Sequence, residues 1–258
     1  MSSVSVGIFE TIKVLQSLPS LSAFALGGGT RIALQYNHRI SVDIDFFCPD
    51  IIGRAGFATI VKEVSEYYGD RAQRFDFPCE IDDQYIFLRF YIEIEDGSLI
   101  KVELLQNMKM LDQIEDLNGI RMISKKDIGI FKLVSATNRG SKKDIYDLDF
   151  ITNDILLVDL YKAFVVKTER YNKDSDKTIF DLEEHKTLIN NPEVLLIFDT
   201  ISGSQNLPNH SHDQLDIVLG HKLWVVAQID WRTKVRRLYQ FLGKDFPKPQ
   251  GIPIKGGL

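Results

Sequence analysis

Cysteine is nearly absent from this chain, with only Cys48 and Cys79 among 258 residues. Two thiols so spaced supply neither a disulfide framework nor a zinc-ligand pattern. They read as free thiols of a reducing compartment, which points to the cytoplasm. Long apolar runs are also missing. No stretch reaches the roughly 18 residues that a membrane span needs, and Met1–Gly7 lacks the basic start and apolar block of a secretory leader. No membrane partner is therefore expected. Nor is there an excess of positive charge: 31 Lys and Arg stand against 36 Asp and Glu, for a net charge of −5. That excludes a globally basic nucleic-acid binder and leaves room for a local patch. Proline and glycine are too sparse for a fibrous chain, and a hydrophobic share of 44% is too high for a disordered one.

What is present is two halves of different texture. In the first, residues 5–17 carry Ile8, Ile12 and Leu15 at helical spacing. Leu21–Leu26 reads as a short buried strand, broken by Gly27-Gly28-Gly29-Thr30, after which Arg31–Tyr36 resumes as helix. Ser41–Phe47 alternates, with Val42, Ile44 and Phe46 on one face and Asp43, Asp45 and Phe47 on the other. Phe57–Tyr68 reads as a helix. Residues 84–95 alternate again, turn at Asp96-Gly97-Ser98, and return as Leu99–Leu105, an antiparallel pair.

From about residue 122 the strand pattern stops. Ser124 caps a helix carrying Ile128, Phe131 and Val134, and Gly140 suits its left-handed end. Lys142–Ile151 reads as a second helix, and Asn153 or Asp154 as the cap of a third running to about Glu169. Shorter helices are expected near 179–189 and 192–199, a loop at Ser202–Ser211, and a long or kinked final helix through Leu215–Leu238. The expected class is α+β: a mixed sheet flanked by helices over 1–120, a mostly helical part over 121–246, and a loose tail over 247–258.

The chemistry concentrates at the triple glycine and at Asp43-Ile44-Asp45. Two carboxylates two apart on a strand point the same way and can hold hard divalent cations. Glycines before a helix N-terminus expose backbone amides, and with the helix dipole these seat a phosphate. Either feature alone is common. In the order strand, glycine turn, helix, carboxylate strand they describe a nucleotidyl-transfer site, in which two metals can clamp an in-line displacement. A third carboxylate is expected on a neighbouring strand. Glu103 fits, with Glu93 and Glu95 as competitors; the structural alternative for Glu103 is an ion pair with Arg89.

Gly28-Gly29-Thr30, followed by Tyr36-Asn37-His38-Arg39-Ile40-Ser41-Val42-Asp43-Ile44-Asp45-Phe46-Phe47, resembles the signature of the AbiEii/AbiGii toxin family of nucleotidyltransferases, in the DNA polymerase β-like superfamily. Phe131-Lys132-Leu133 and Asn138-Arg139-Gly140-Ser141-Lys142-Lys143-Asp144-Ile145-Tyr146-Asp147-Leu148 resemble its downstream Lys and Asp motifs. The resemblance implies a nucleotidyltransferase sheet with an appended helical domain. It implies transfer of a nucleotide from an NTP, with Mg2+ or Mn2+, to an acceptor such as the 3′ end of tRNA, by a toxin neutralised by a separately encoded antitoxin. By position, Asp43 and Asp45 would bind metal, with Glu103 as the third ligand. Gly28, Gly29 and Thr30 would hold the triphosphate, and Lys132 would contact its phosphates. Either Asp144 or Asp147 would serve in the fourth motif. Arg39 suits phosphate through its planar fork, or an acidic neighbour. The alternative class is a degenerate fold that binds nucleotide or protein without turnover.

Three features fall outside these motifs. His210 and His212 read as surface histidines, since zinc needs more ligands. Arg232, Lys234, Arg236 and Arg237 form a basic cluster, with eight Lys or Arg in residues 221–258 against Asp230 and Asp245. Trp231 or Tyr239, if exposed beside it, would let RNA bases stack there.

Overall fold

The computed structural model describes residues 2–182, 188–198 and 214–248. His185, His210, His212, the Ser202–Ser211 loop and the Gly256-Gly257 end of the tail lie outside the described residues.

Among the described residues, β1 (Ala25–Leu26), β2 (Ile44–Phe47), β3 (Ala72–Asp76), β4 (Phe87–Glu93), β5 (Leu99–Leu105), β6 (Glu115–Leu117) and β7 (Ile120–Met122) form one mixed sheet in the order β3-β4-β5-β2-β1-β7-β6. The neighbours β2–β5 and β1–β7 run parallel; the other pairs run antiparallel. Helices α1 (Val6–Ser17), α2 (Gly28–Tyr36) and α3 (Gly53–Tyr68) belong to the first half. Helices α4 (Lys125–Arg139), α5 (Lys142–Asp154), α6 (Leu157–Arg170) and α7 (Trp224–Phe241) follow. None of the described helices is long and apolar enough to cross a membrane.

Side-chain alternation gives the sheet two jobs. One face, including Leu26, Ile44, Phe46, Leu88, Phe90 and Val102, packs with Ile12 and Leu15 of α1 and Phe57, Ile60 and Val64 of α3. The opposite face contributes Ala25, Phe47, Phe87 and Leu105 to a second core with Leu133, Leu148, Leu160, Trp231 and Leu238 of the helical part. Two residues along from those anchors, the same face becomes charged: Asp45 precedes Phe47, Glu103 precedes Leu105, and Arg89 follows Phe87. The period of two therefore carries an apolar contact directly into a polar cleft.

Several elements differ from the sequence expectation. The strand expected over Ser41–Phe47 begins only at Ile44, and Val42 is 55% exposed rather than on the inner face. The reason lies in residues 38–40, which pair instead with residues 216–218: Arg39 bridges Ile217, and Ile40 N–H donates to the Asp216 carbonyl at 2.8 Å. Leu21 belongs to a 3-10 turn over Pro19–Leu21, and only Ala25–Leu26 forms a strand. Strands β3, β6 and β7 had no clear alternation to reveal them; β3 is a strongly polar edge and β6 and β7 have three residues each.

In the second half, Ser124 caps α4 by accepting from the Asp127 N–H, and Gly140 ends it in the left-handed region, as its sequence reads. Neither Asn153 nor Asp154 caps α6; both lie in α5, and Leu156 precedes Leu157–Arg170. The helices expected near 179–189 and 192–199 are 3-10 turns at Ile179–Asp181 and Pro192–Leu196 where described. The final helix begins at Trp224, not near Leu215. Cys48 and Cys79 are free thiols.

Candidate active site

The glycine turn and the aspartates meet. Gly27 N–H donates to the Asp45 carbonyl at 2.7 Å, tying the start of α2 to β2. Gly28 has φ +59°, and a Cβ added there would collide with Asp45 Oδ2 and stand 2.6 Å from its Cγ. A Cβ on Gly29 would collide with Nη2 of Arg39. Only glycine lets this helix start lie against both groups. By position, the first amides of α2 have no intrahelical acceptor, and they open at this place.

Thr30 is fully buried, and its hydroxyl donates to the Asp43 carbonyl and lies 2.9 Å from Ser41 Oγ. It fixes the approach to β2 rather than facing the cleft. Asp43 sits one residue before β2, with 35% of its side chain exposed. Asp45 lies opposite Glu103 in the parallel β2–β5 register. Burial, with Glu103 and Asp43 nearby, pushes its carboxyl up to about 6, against the pull of Lys101 and Lys132. Its carboxylate, unlike its backbone carbonyl, accepts no hydrogen bond among the described residues.

Glu103 is already paired. Arg89, directly opposite on β4, reaches its Oε1 through Nε and Nη2 at 2.7 Å each, and Lys101 Nζ is 3.3 Å from Oε2. Burial raises the Glu103 carboxyl, but Lys101 and Arg89 outweigh it and hold the group below its ordinary range. Among the described residues, no group of three carboxylate, imidazole or thiolate side chains converges closely enough to hold a metal by itself. Asp43 and Asp45 can still fit one, with phosphate oxygens and water completing its shell, as Mg2+ prefers.

The downstream motif residues come to the same region from α4 and α5, but inward. Lys132 is 6% exposed, with Nζ 2.8 Å from both Asp144 Oδ1 and Asp147 Oδ2. Asp144 also accepts from Ser135 Oγ at 2.9 Å. Asp147 takes a forked pair from Arg39, Nε to Oδ1 at 2.6 Å and Nη2 to Oδ2 at 2.7 Å, with His38 Nε2 2.8 Å from Oδ1. Burial opposes its charge, yet Arg39 and Lys132 hold its carboxyl well below the usual range. His38 stacks on Tyr146 with centroids 5.4 Å apart, and burial lowers its imidazole below its ordinary value.

The ion pair with Arg89 is the alternative that the sequence offered for Glu103, and it forms; the sequence did not single out Lys101 or Lys143 as site residues. Lys143 is half-buried, and burial followed by Arg39 pushes its amine down while Asp43, Asp216 and Asp147 oppose. Nothing in the sequence separates it from Lys142 beside it. Lys101 was legible as a neighbour of Glu103 on one strand face, but its proximity to Asp43 depends on the β2–β5 register. Trp231 and Tyr239 are buried in the second core, so neither is available to stack on RNA. The Arg232, Arg236 and Arg237 side chains remain exposed.

Residues 14–242 match the family described as "Nucleotidyl transferase AbiEii toxin, Type IV TA system". An uncharacterized protein of Aquifex aeolicus, aq_aa25, is 32% identical over 142 residues, covering 55% of this chain. The chain spans 64% of that curated relative, less than two thirds of its length. Among solved structures, MenT4, a nucleotidyltransferase toxin from Mycobacterium tuberculosis H37Rv, is similar with TM-score 0.49 and 18% identity, covering 92% of this chain and 84% of that one.

Proposed function

The chain belongs to the AbiEii nucleotidyl transferase toxin family, and from that membership we propose that it transfers a nucleotide from an NTP to a hydroxyl at an RNA 3′ end, that of tRNA. In this reading it is the toxin of a type IV toxin–antitoxin pair, with a separately encoded antitoxin. The observation that carries the reading is the seating of Gly28 against the Asp45 carboxylate, which brings a phosphate-binding helix start and a cation-binding acid to one point.

Asp43 and Asp45 would hold the divalent ion. Asp45 is suited to it, because a carboxyl raised to about 6 by burial and like charge, without a hydrogen-bond donor, gains most from a cation. When bound, Mg2+ or Mn2+ neutralises charge on the triphosphate and on the leaving pyrophosphate. The α2 amides at Gly29 and Thr30 receive phosphate oxygens, while the Thr30 hydroxyl keeps Asp43 at its height by gripping its carbonyl. Lys143, whose amine feels Arg39 and Asp43, adds positive charge beside the same carboxylates, which favours an NTP. Lys132, Asp144 and Asp147 act as positioning residues: they lock Arg39 and His38 from behind. The acceptor oxygen attacks the α-phosphorus, its bond to the pyrophosphate oxygen breaks, and the acceptor proton leaves to water or to a carboxylate of the pair.

The test is incubation of the full chain with each α-labelled NTP, a divalent metal and total cellular RNA. Label should appear in the tRNA band, and Asp43→Ala and Asp45→Asn should each lower it at least about 10³-fold, as expected for removing charge stabilisation at the transferring phosphate. Undiminished labelling in both variants defeats the assignment. Label confined to protein bands defeats the RNA acceptor.

A further inference from the structure

The acid cluster contains a fixed cation of its own. The parallel register pairs Ile44 with Val102 and Asp45 with Glu103. One step earlier it brings Asp43 beside Lys101, whose Nζ lies 3.5 Å from Asp43 Oδ2 and 3.3 Å from Glu103 Oε2. Lys101 is 24% exposed in its side chain and Glu103 15%, so this is an ion pair within the cleft wall rather than on open surface. Both oxygens of Glu103 are occupied, Oε1 by Arg89 and Oε2 by Lys101.

A two-metal centre sets its ions about 3.5–4 Å apart and shares carboxylates between them. Here the third carboxylate cannot ligate unless it gives up a forked arginine and a lysine. The charge balance argues the same way. Three carboxylates opposed by Arg89 and Lys101 leave one negative charge, enough to favour one divalent ion. A second would bring its charge up against the Lys101 ammonium at close range, where repulsion in a partly buried cleft is strong.

We infer that Lys101 takes the place of one metal: the site holds a single divalent ion on Asp43 and Asp45, and the Lys101 ammonium is the second positive charge of the centre. The inference rests on the nucleotidyl-transfer reading above. Lys101 on this account belongs to the catalytic machinery, and its removal converts the cluster into one with room and charge for two ions.

The experiment is Mn2+ electron paramagnetic resonance on the full chain, saturated with the α,β-methylene analogues of the four NTPs. Two Mn2+ ions at the separation of a two-metal site couple magnetically; a single ion gives an isolated six-line spectrum. The wild type should show only the isolated signal, with one ion held per chain even in excess Mn2+. Lys101→Met, which keeps the apolar stem, should show a coupled pair and two ions per chain, and Lys101→Arg should stay with one. A coupled pair in the wild type overturns the inference and leaves the transfer reading standing, and it does so without any variant having to fold. A folded Lys101→Met that still holds one ion also overturns it. Absence of any bound Mn2+ in the wild type with nucleotide takes down both.

Discussion

Gly28 and Asp45 illustrate how narrow the tolerances are at single residues. Gly28→Ala adds a methyl group where Asp45 already stands and forces an alanine into positive φ. Displacement of the carboxylate by about 1 Å should cut RNA labelling about 10²-fold. Gly69 offers the control: its φ is +56° with nothing within 4 Å, so Gly69→Ala should cost stability and leave labelling intact. Equal loss of labelling in both variants would count against the contact. A second residue with a testable consequence is Lys167. Its Nζ is buried without a hydrogen-bond partner among the described residues, 3.5 Å from the centroid of the Phe131 ring, and burial pushes its amine down to about 8. The folded state binds that proton less tightly than the unfolded chain does. The charged form therefore costs stability at pH 7, and the cost fades as pH rises toward the unfolded value near 10.4. Lys167→Met should raise stability by about 1–2 kcal/mol at pH 7, less than the full shift because the ring attraction is lost. Denaturant melts at pH 7 and pH 10 should show the gain shrinking; a gain independent of pH would assign it to packing.

At the level of elements, α5 works as a clamp. Its Asp147 gathers Arg39, His38 and Lys132, and its Asp149 accepts from Lys222 at 2.6 Å and from Lys234 of α7 at 2.7 Å. Both carboxylates are completely buried. Breaking such a network strands cations, and Asp147→Asn should destabilise by about 3–5 kcal/mol. Denaturant unfolding measures that loss, and a change below about 1 kcal/mol, the range of an exposed pair, would show that the network carries little. Acid acts on the same clamp in two stages. His38 is lowered in the fold, so its contribution is complete above the unfolded value near 6.5 and declines as pH falls below it. Asp147 is lowered as well, so its larger contribution holds above the unfolded value near 3.9 and is lost only in stronger acid. Asp45, raised to about 6, gains stability as pH falls over the same range, so the first stage is read as a difference: from pH 7 to 5 the wild type should lose stability in thermal melts relative to His38→Gln, and both should fall steeply below 4.

Across the whole molecule, the sheet is shared property. Its first face closes over α1 and α3, but its second face is completed by α4–α7, with Phe47 meeting Phe131 edge-on at 5.3 Å. The expected boundary near residue 120 therefore separates two textures of sequence that meet in the second core. It also cuts β7, which pairs with β1 through Leu26 and Met122. A fragment of residues 1–120 should lack fixed tertiary structure, seen as weak near-ultraviolet dichroism, while the full chain should unfold in one transition by fluorescence and dichroism together. A sharply melting fragment would show that the first half stands alone.

Much of this was written in local pattern. The alternation at 87–93 and 99–105, the Ser124 cap, the Gly140 stop and the order of glycine turn and aspartates depend on spacing and backbone sterics, which neighbours along the chain set by themselves. What folding alone decided is which distant groups meet. For Glu103 the sequence left a metal ligand and an ion pair with Arg89 both open; the registers with β4 and β2 decide for the pair, bring Lys101 to its other oxygen and leave the Asp45 carboxylate without an ion pair among the described residues. Asp147 shares the fourth motif with Asp144 in the sequence, which does not choose between them; only the packing of α5 turns it inward onto Arg39. Electrostatic roles of this kind are fixed by burial and by distances of a few ångströms between segments far apart in the chain, and no local periodicity encodes either.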